Sequence, residues 1–215
     1  MPQATELFIT DHTTVGLAPD LPEVQLCLAT DAIALWEATE AVTGTGSLPP
    51  PFWGFAWAGG IALARYVMDN RHLIADKVVL DLASGCGVVA IAAAKAGALR
   101  VIANEIDPMA AAAIGVNADI NAVVVDIELG DLLDGDGGDA NLVIAGDVFY
   151  SRDMADRVLA FLLRSRSRGA EILVGDPERA YLPRQRFQPL AVYDVQTTTA
   201  LEDAEIKRTT VWRLF

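Results

Sequence analysis

A chain of 215 residues with 53% hydrophobic content is long enough to bury a full core as one domain, with room for an elaborated N-terminus. Its 16 Lys and Arg against 29 Asp and Glu leave a net charge of −13, which argues against a nucleic-acid backbone as main partner, because phosphate binding requires clustered bases. Only Cys27 and Cys86, and only His12 and His72, are present, so neither a disulfide framework nor a metal site is expected.

The excess acid either keeps the chain soluble or suits a basic partner surface; charge alone does not choose. The opening Met-Pro-Gln-Ala-Thr-Glu lacks a basic region followed by an apolar run and lacks the Arg-rich pattern of a transit peptide. The longest apolar helix, around 87–97, contains Lys95 and is too short for a bilayer. A cytoplasmic protein with no membrane partner, and a monomer, is the expectation.

In chain order, residues 1–50 form an N-terminal extension, a substrate or lid region, ahead of a catalytic domain at 51–215. Val24, Leu26 and Leu28 alternate as in a strand, and Ile33 to Trp36 read as helix. Thr43 to Pro51 is rich in Gly and Pro and breaks regular structure. The aromatics Phe52, Trp53, Phe55 and Trp57 follow, then a helix from Gly59 to Asn70. Beyond Lys77 the pattern alternates: strand 77–82, helix 87–97, strand 100–105, helix 108–118, strand 123–128, loop 130–138, strand 141–146, helix 153–168 and strand 170–175. Such alternation implies a mostly parallel sheet with crossover helices. Segments 187–199 and 205–215 read as two strands with no helix between them, a terminal antiparallel pair. The fold class is α/β and Rossmann-like: a seven-stranded class I methyltransferase sheet ending in an antiparallel hairpin.

The stretch Val78 to Pro108 carries the chemistry. Gly85 and Gly87 lie between an apolar strand and a helix, where backbone approaches a ligand closely, and Glu105 ends the next strand, about where a carboxylate reaches ribose hydroxyls. Gly85-x-Gly87-x-x-Ala90 also fits the dinucleotide fingerprint. Asp81 separates the two cofactors: an acid before the glycines repels a pyrophosphate and attracts the sulfonium and ammonium of S-adenosylmethionine. A glycine turn without a ligand accounts for Gly-x-Gly alone, but not for both acids. Ser84 and Ile106 complete this candidate cofactor set.

In doubly wound sheets ligands bind beyond the C-terminal strand ends. Here those ends carry Asp81, Glu105, Asp131, Asp147 and Asp176. Asp131 serves either a turn or the adenine amino group; for Asp153 and Asp176, capping or turn chemistry is preferred. Asp147-Val-Phe-Tyr150 pairs a carboxylate with a phenol and is the candidate substrate side. Methyl transfer to lysine needs the neutral amine, and uncovering it at neutral pH costs roughly 4 kcal/mol from a reference pKa of about 10.4. A carboxylate raises a lysine pKa, so Asp147 is expected to orient the amine and not to deprotonate it. Trp57 is either a lid over adenosine or a core anchor; Trp36, Trp53 and Trp212 are assigned to packing.

The segments Pro51 to Asn70, Leu80 to Gly87, Ala103 to Pro108 and Gly146 to Tyr150, with Val174 to Pro177 and Thr209 to Trp212, resemble the electron transfer flavoprotein β-subunit lysine methyltransferases. Members of that seven-stranded group carry an acid-x-x-aromatic motif after strand four. The resemblance implies Nε-methylation of a protein lysine, with the electron transfer flavoprotein β subunit as partner. It implies that Asp81, Gly85, Gly87 and Glu105 hold the cofactor beside Trp57, and that Asp147 and Tyr150 line a lysine channel. Animal members work in mitochondria, whereas the opening residues here suit a bacterial cytoplasmic relative. The rivals are a methyltransferase for a ribosomal protein or a small amine such as nicotinamide, a non-catalytic cofactor-binding module, and, more weakly, an NAD-dependent oxidoreductase.

Overall fold

The computed structural model describes residues 2–197 and 204–215. Within them, helix α1 (Pro2–His12), strands β1 (Thr14–Ala18) and β2 (Leu21–Leu28) and helix α2 (Ala32–Thr43) lead into α3 (Ala58–Asp69). Then come β3 (Val78–Leu82), α4 (Val88–Lys95), β4 (Arg100–Glu105), α5 (Pro108–Ile120), β5 (Asp126–Leu129), β6 (Leu142–Gly146), α6 (Arg152–Ser167), β7 (Glu171–Asp176), β8 (Phe187–Gln196) and β9 (Ile206–Leu214).

Among the described residues, β1 and β2 form an antiparallel pair, and seven strands make one sheet in the order β5-β4-β3-β6-β7-β9-β8. The first five of these are parallel; β9 runs antiparallel to both β7 and β8. Central strands covered on both faces must be apolar throughout, and Val-Val-Leu-Asp-Leu of β3 meets that demand except at Asp81. Helices α3 and α4 pack on one face around Ile61, Val67, Val89 and Ile91. Helix α6 packs on the other, with Phe149, Phe161 and Val158. Asp107 caps α5, accepting from Met109 N at 2.8 Å with Pro108 in the first turn, and Ser151 caps α6.

Helix α1 and strand β1 have no counterpart among the elements expected from the sequence. Four of the five β1 residues are exposed, so the strand has no buried alternation to reveal it. Helix α1 is fixed by Phe8 and Ile9, which share a core cluster with Ala110 and Ala113 of α5. The strand expected at 123–128 is displaced to Asp126–Leu129, because Val123 and Val125 pack on the core as the chain climbs from α5 toward the sheet edge. The strand expected at 187–199 runs to Gln196; residues 198 and 199 lie outside the described residues.

The first 50 residues share cores with the catalytic region: Leu21, Val24 and Leu26 of β2 sit among α3 and α4 residues. Asn117 of α5 ties the two parts together. Fully buried, it accepts from Cys27 N at 2.7 Å and donates to the Cys86 carbonyl at 2.8 Å, linking β2 to the glycine loop.

The N-terminus of α3 sits unusually close to the sheet. A side chain on Gly59 or Gly175 would overlap the other's backbone, and a Cβ on Gly146 would lie 2.8 Å from both the nitrogen and the Cα of Gly60. Glycine at these positions lets the helix backbone rest on the ends of β6 and β7.

Candidate active site

The turn from β3 into α4 takes left-handed backbone at Ala83, Gly85 and Gly87, with φ of 54°, 60° and 82°. Asp81 lies beneath this turn and is 1% exposed. Its Oδ2 accepts from the Ser84 hydroxyl and from Ala90 N at 3.0 Å, so it braces the loop and the first turn of α4. Burial pushes its carboxyl up to about 7 against those two hydrogen bonds, with the Glu105 charge adding to the rise. Burial likewise raises the neighbouring Cys86 thiol to about 12, which makes it unreactive.

Glu105 ends β4 on the far side of the loop. Its Oε1 accepts from Gly85 N at 2.7 Å and its Oε2 from Ile106 N at 2.9 Å. Burial raises its pKa, opposed by those backbone N–H groups. Ile106 projects beside it, 71% exposed. Asp131 follows β5; Leu133 N donates to its Oδ1 at 2.9 Å and Arg157 pairs with its Oδ2 at 2.9 Å, and these hold its pKa low. The turn role expected for Asp131 is thus visible in its hydrogen bonds.

Across the crevice, Asp147 follows β6 at a φ of 58°, its N–H donating to the Gly175 carbonyl at 3.0 Å. Its Oδ2 accepts from Gly60 N at 3.0 Å, in the first turn of α3. Trp57, the residue that precedes α3, provides no side-chain cap, so Asp147 caps the helix from another element. Its Oδ1 accepts from Arg179 Nη2 at 2.7 Å and Nε at 3.1 Å. The Arg179 guanidinium also lies 5.8 Å from the centre of the Trp57 ring.

Aromatic rings frame this end. Trp57 Nε1 donates to the Phe52 carbonyl at 3.0 Å, and the Phe52 ring lies edge-on to Trp57 at 5.8 Å and tilted to Tyr150 at 6.2 Å. Tyr150 is 54% exposed; partial burial and the Glu105 charge both raise its pKa. Asp176, at the end of β7, accepts from Arg179 N at 2.6 Å, the turn contact expected of it. It is nevertheless fully buried, Oδ2 meets no hydrogen-bond donor among the described residues, and burial raises its pKa to about 7. Asp153 lies in the first turn of α6, whose cap is Ser151.

Arg179 at this end was not singled out from the sequence, and Phe52 was named only among the aromatics that follow the Pro-rich loop. A signal for Arg179 existed: it lies two positions beyond Pro177, just after a strand end where two acids converge and a cation is needed.

A model of the ribosomal protein L11 methyltransferase (PrmA) family matches residues 62–149. The electron transfer flavoprotein β-subunit lysine methyltransferase of Xenopus laevis is 36% identical over 211 residues, covering 95% of this chain and 85% of its own. The chain belongs to that family of lysine methyltransferases. The human relative of the same name is 34% identical over 215 residues, covering 95% of this chain and 80% of its own. Among solved structures, the magnesium protoporphyrin IX methyltransferase of Synechocystis, with bound S-adenosylmethionine, aligns at a TM-score of 0.54 and 15% identity, covering 84% of this chain and 91% of that one. That likeness is one of fold.

A lysine methyltransferase of this family uses S-adenosylmethionine, and the residues present fit it. Asp81 lies buried beneath the glycine turn and Glu105 holds its edge through Gly85 N, acids that favour a cationic ligand over a phosphate. Space above Gly85 is open to 4 Å, and Ile106 offers an uncovered apolar face beside the Glu105 carboxylate, as an adenosine requires.

Proposed function

We propose that this enzyme methylates a lysine side chain of the electron transfer flavoprotein β subunit. In this reading Trp57, Asp81, Ser84, Gly85, Gly87, Glu105, Ile106 and Asp131 form the cofactor side, and Asp147 and Tyr150 the substrate side. The observation that carries it is the position of the Asp147 carboxylate. It lies beyond the end of β6, paired with Arg179 over the Trp57 ring, beside the linked rings of Phe52, Trp57 and Tyr150. An extended apolar stem ending in an amine fits an aromatic mouth with a hydrogen-bond acceptor behind it.

S-Adenosylmethionine supplies an electrophilic methyl group on a sulfonium. Glu105 holds ribose hydroxyls through the acceptor capacity left on its two oxygens, and the buried Asp81 adds negative potential behind a cationic ligand. Asp147 accepts a hydrogen bond from the lysine nitrogen and aims its lone pair, while the rings of Phe52, Trp57 and Tyr150 narrow the approach and exclude water. The amine first releases a proton to water. With the cofactor bound, the amine nitrogen would take the methyl group, the N–C bond forming as the C–S bond breaks and the electron pair returns to sulfur.

The test is transfer of labelled methyl from S-adenosylmethionine into electron transfer flavoprotein of the same organism, with mass spectrometry to place the label. Label on a β-subunit lysine supports the reading. An unlabelled flavoprotein beside a labelled ribosomal protein would move the substrate to the acceptor named in the matching family model.

A further inference from the structure

A carboxylate beside a lysine stabilises the ammonium, which is the wrong form for methyl transfer. Asp147 is not, however, a bare carboxylate. Arg179 donates to its Oδ1 twice, at 2.7 and 3.1 Å, and the pair is largely buried, with side chains 20% and 12% exposed. Gly60 N, at the positive end of α3, occupies Oδ2. Arg179 is itself held in place, its guanidinium over the Trp57 ring and its backbone N–H donating to Asp176.

We propose that Arg179 is a positioning residue that fixes Asp147 and offsets its charge, so that the carboxylate orients a neutral lysine amine without stabilising the ammonium. This rests on the lysine-methylation reading. It resolves the conflict between what a carboxylate does for orientation and what it does to the proton. A fork of fixed guanidinium donors suits the task, since it holds one carboxylate oxygen through two hydrogen bonds in a defined geometry.

The charged and titratable groups around the bound amine come from several elements. Asp147 and Tyr150 follow β6, Asp176 and Glu178 lie at and just beyond the end of β7, Glu105 ends β4, and Asp81 lies buried in β3. Glu178 is paired with Arg184, and Arg152 lies over Tyr181. The first turn of α3, Ala58-Gly59-Gly60, supplies no ionisable side chain. Arg179 is a cation in direct contact with Asp147.

The experiment is the pH dependence of kcat at saturating flavoprotein and cofactor, which reports groups in the bound complex. In Arg179→Gln the acid limb should rise by about one pH unit, a roughly ten-fold loss at low pH that closes at high pH. Arg179→Lys should restore the limb toward wild type. Above about pH 7, where Asp176 is charged, Asp176→Asn removes a negative charge from the same cluster; it should move a limb in that range the opposite way and keeps the test open if Arg179→Gln does not fold. A loss equal at every pH, an Arg179→Lys limb as high as that of Arg179→Gln, or a limb in that range left unmoved by Asp176→Asn would overturn the proposal while leaving lysine methylation standing. Absence of transfer to lysine by the wild-type enzyme at any pH would overturn that reading and this one together.

Discussion

Gly146→Ala should disable the substrate side while sparing the cofactor side. The new Cβ would lie 2.8 Å from Gly60 N and Cα and 3.3 Å from Gly59 C, all backbone atoms that cannot rotate aside. Ordinary van der Waals separation requires α3 to withdraw by roughly 0.5 Å or more. Gly60 N is the donor to Asp147 Oδ2, now at 3.0 Å, and a withdrawal of that size takes the contact out of hydrogen-bond range. Overpacking costs about 2 kcal/mol and loss of a hydrogen bond to a charged group about 1 more. At about 2–4 °C per kcal/mol for a domain of this size, the melting temperature should fall by roughly 6–12 °C. Because the misplaced group is the Asp147 carboxylate, kcat should fall about ten-fold or more. The cofactor Kd should stay within about two-fold, since Gly85 and Glu105 are untouched. Gly16→Ala is the control: nothing lies within 4 Å of its added Cβ, and its effect should stay within about 0.5 kcal/mol. Differential scanning calorimetry, calorimetric cofactor titration and initial rates read all three quantities. A Gly146→Ala enzyme that melts with the wild type and turns over normally would show that the close approach of α3 does not set the position of Asp147.

Other perturbations separate the remaining roles. Asp81 is raised to about 7, so the native state keeps a proton that the unfolded chain has released, and stability falls as pH rises from about 4 to 7. Asp81→Asn should remove one proton from that slope, about 1.4 kcal/mol per pH unit, in denaturant melts across the window; an unchanged slope would mean that Asp81 is charged throughout. Glu105→Gln keeps an acceptor for Gly85 N but loses one for Ile106 N and for a ribose hydroxyl, so calorimetry should find cofactor binding weakened about ten-fold or more. A kcat loss as large as the affinity loss would contradict that assignment. Asp147→Asn should abolish most turnover with cofactor affinity kept, and equal loss of both would remove the division into two sides. If the −13 charge steers a basic protein surface, the KM for flavoprotein should rise between low and high salt, and a flat KM would dismiss the idea.

The sheet was readable because its order is written in local patterns. Val78 to Leu82, Arg100 to Glu105 and Leu142 to Gly146 are largely apolar runs with an acid or glycine at or next to their ends, and each is a parallel strand in the structure. Helix α1 and strand β1 were not readable, since their order comes from packing and pairing with later segments and not from periodicity of their own. The acids at the strand ends were visible as residues, but their partners were not. Asp147 meets Gly60 from 87 positions earlier and Arg179 from 32 later. Asp176 has the turn contact of a surface Asp, yet β9 pairs alongside it, with Thr210 opposite, and helps bury it. Only tertiary placement reveals that difference.

The capping of α3 by Asp147 bears on how such enzymes drift. A side chain used only for chemistry can be discarded as soon as selection for the reaction relaxes, with the scaffold unharmed. Here the same carboxylate satisfies a helix N-terminus and balances a largely buried arginine, so its loss would cost both contacts. Lineages that abandoned the reaction would still be held to an acid at this position by folding. An intact acid-x-x-aromatic motif in a distant relative is therefore weaker evidence of activity than its position near the mouth suggests, and substitutions at Tyr150, half-exposed and free of such duties, should record the loss first.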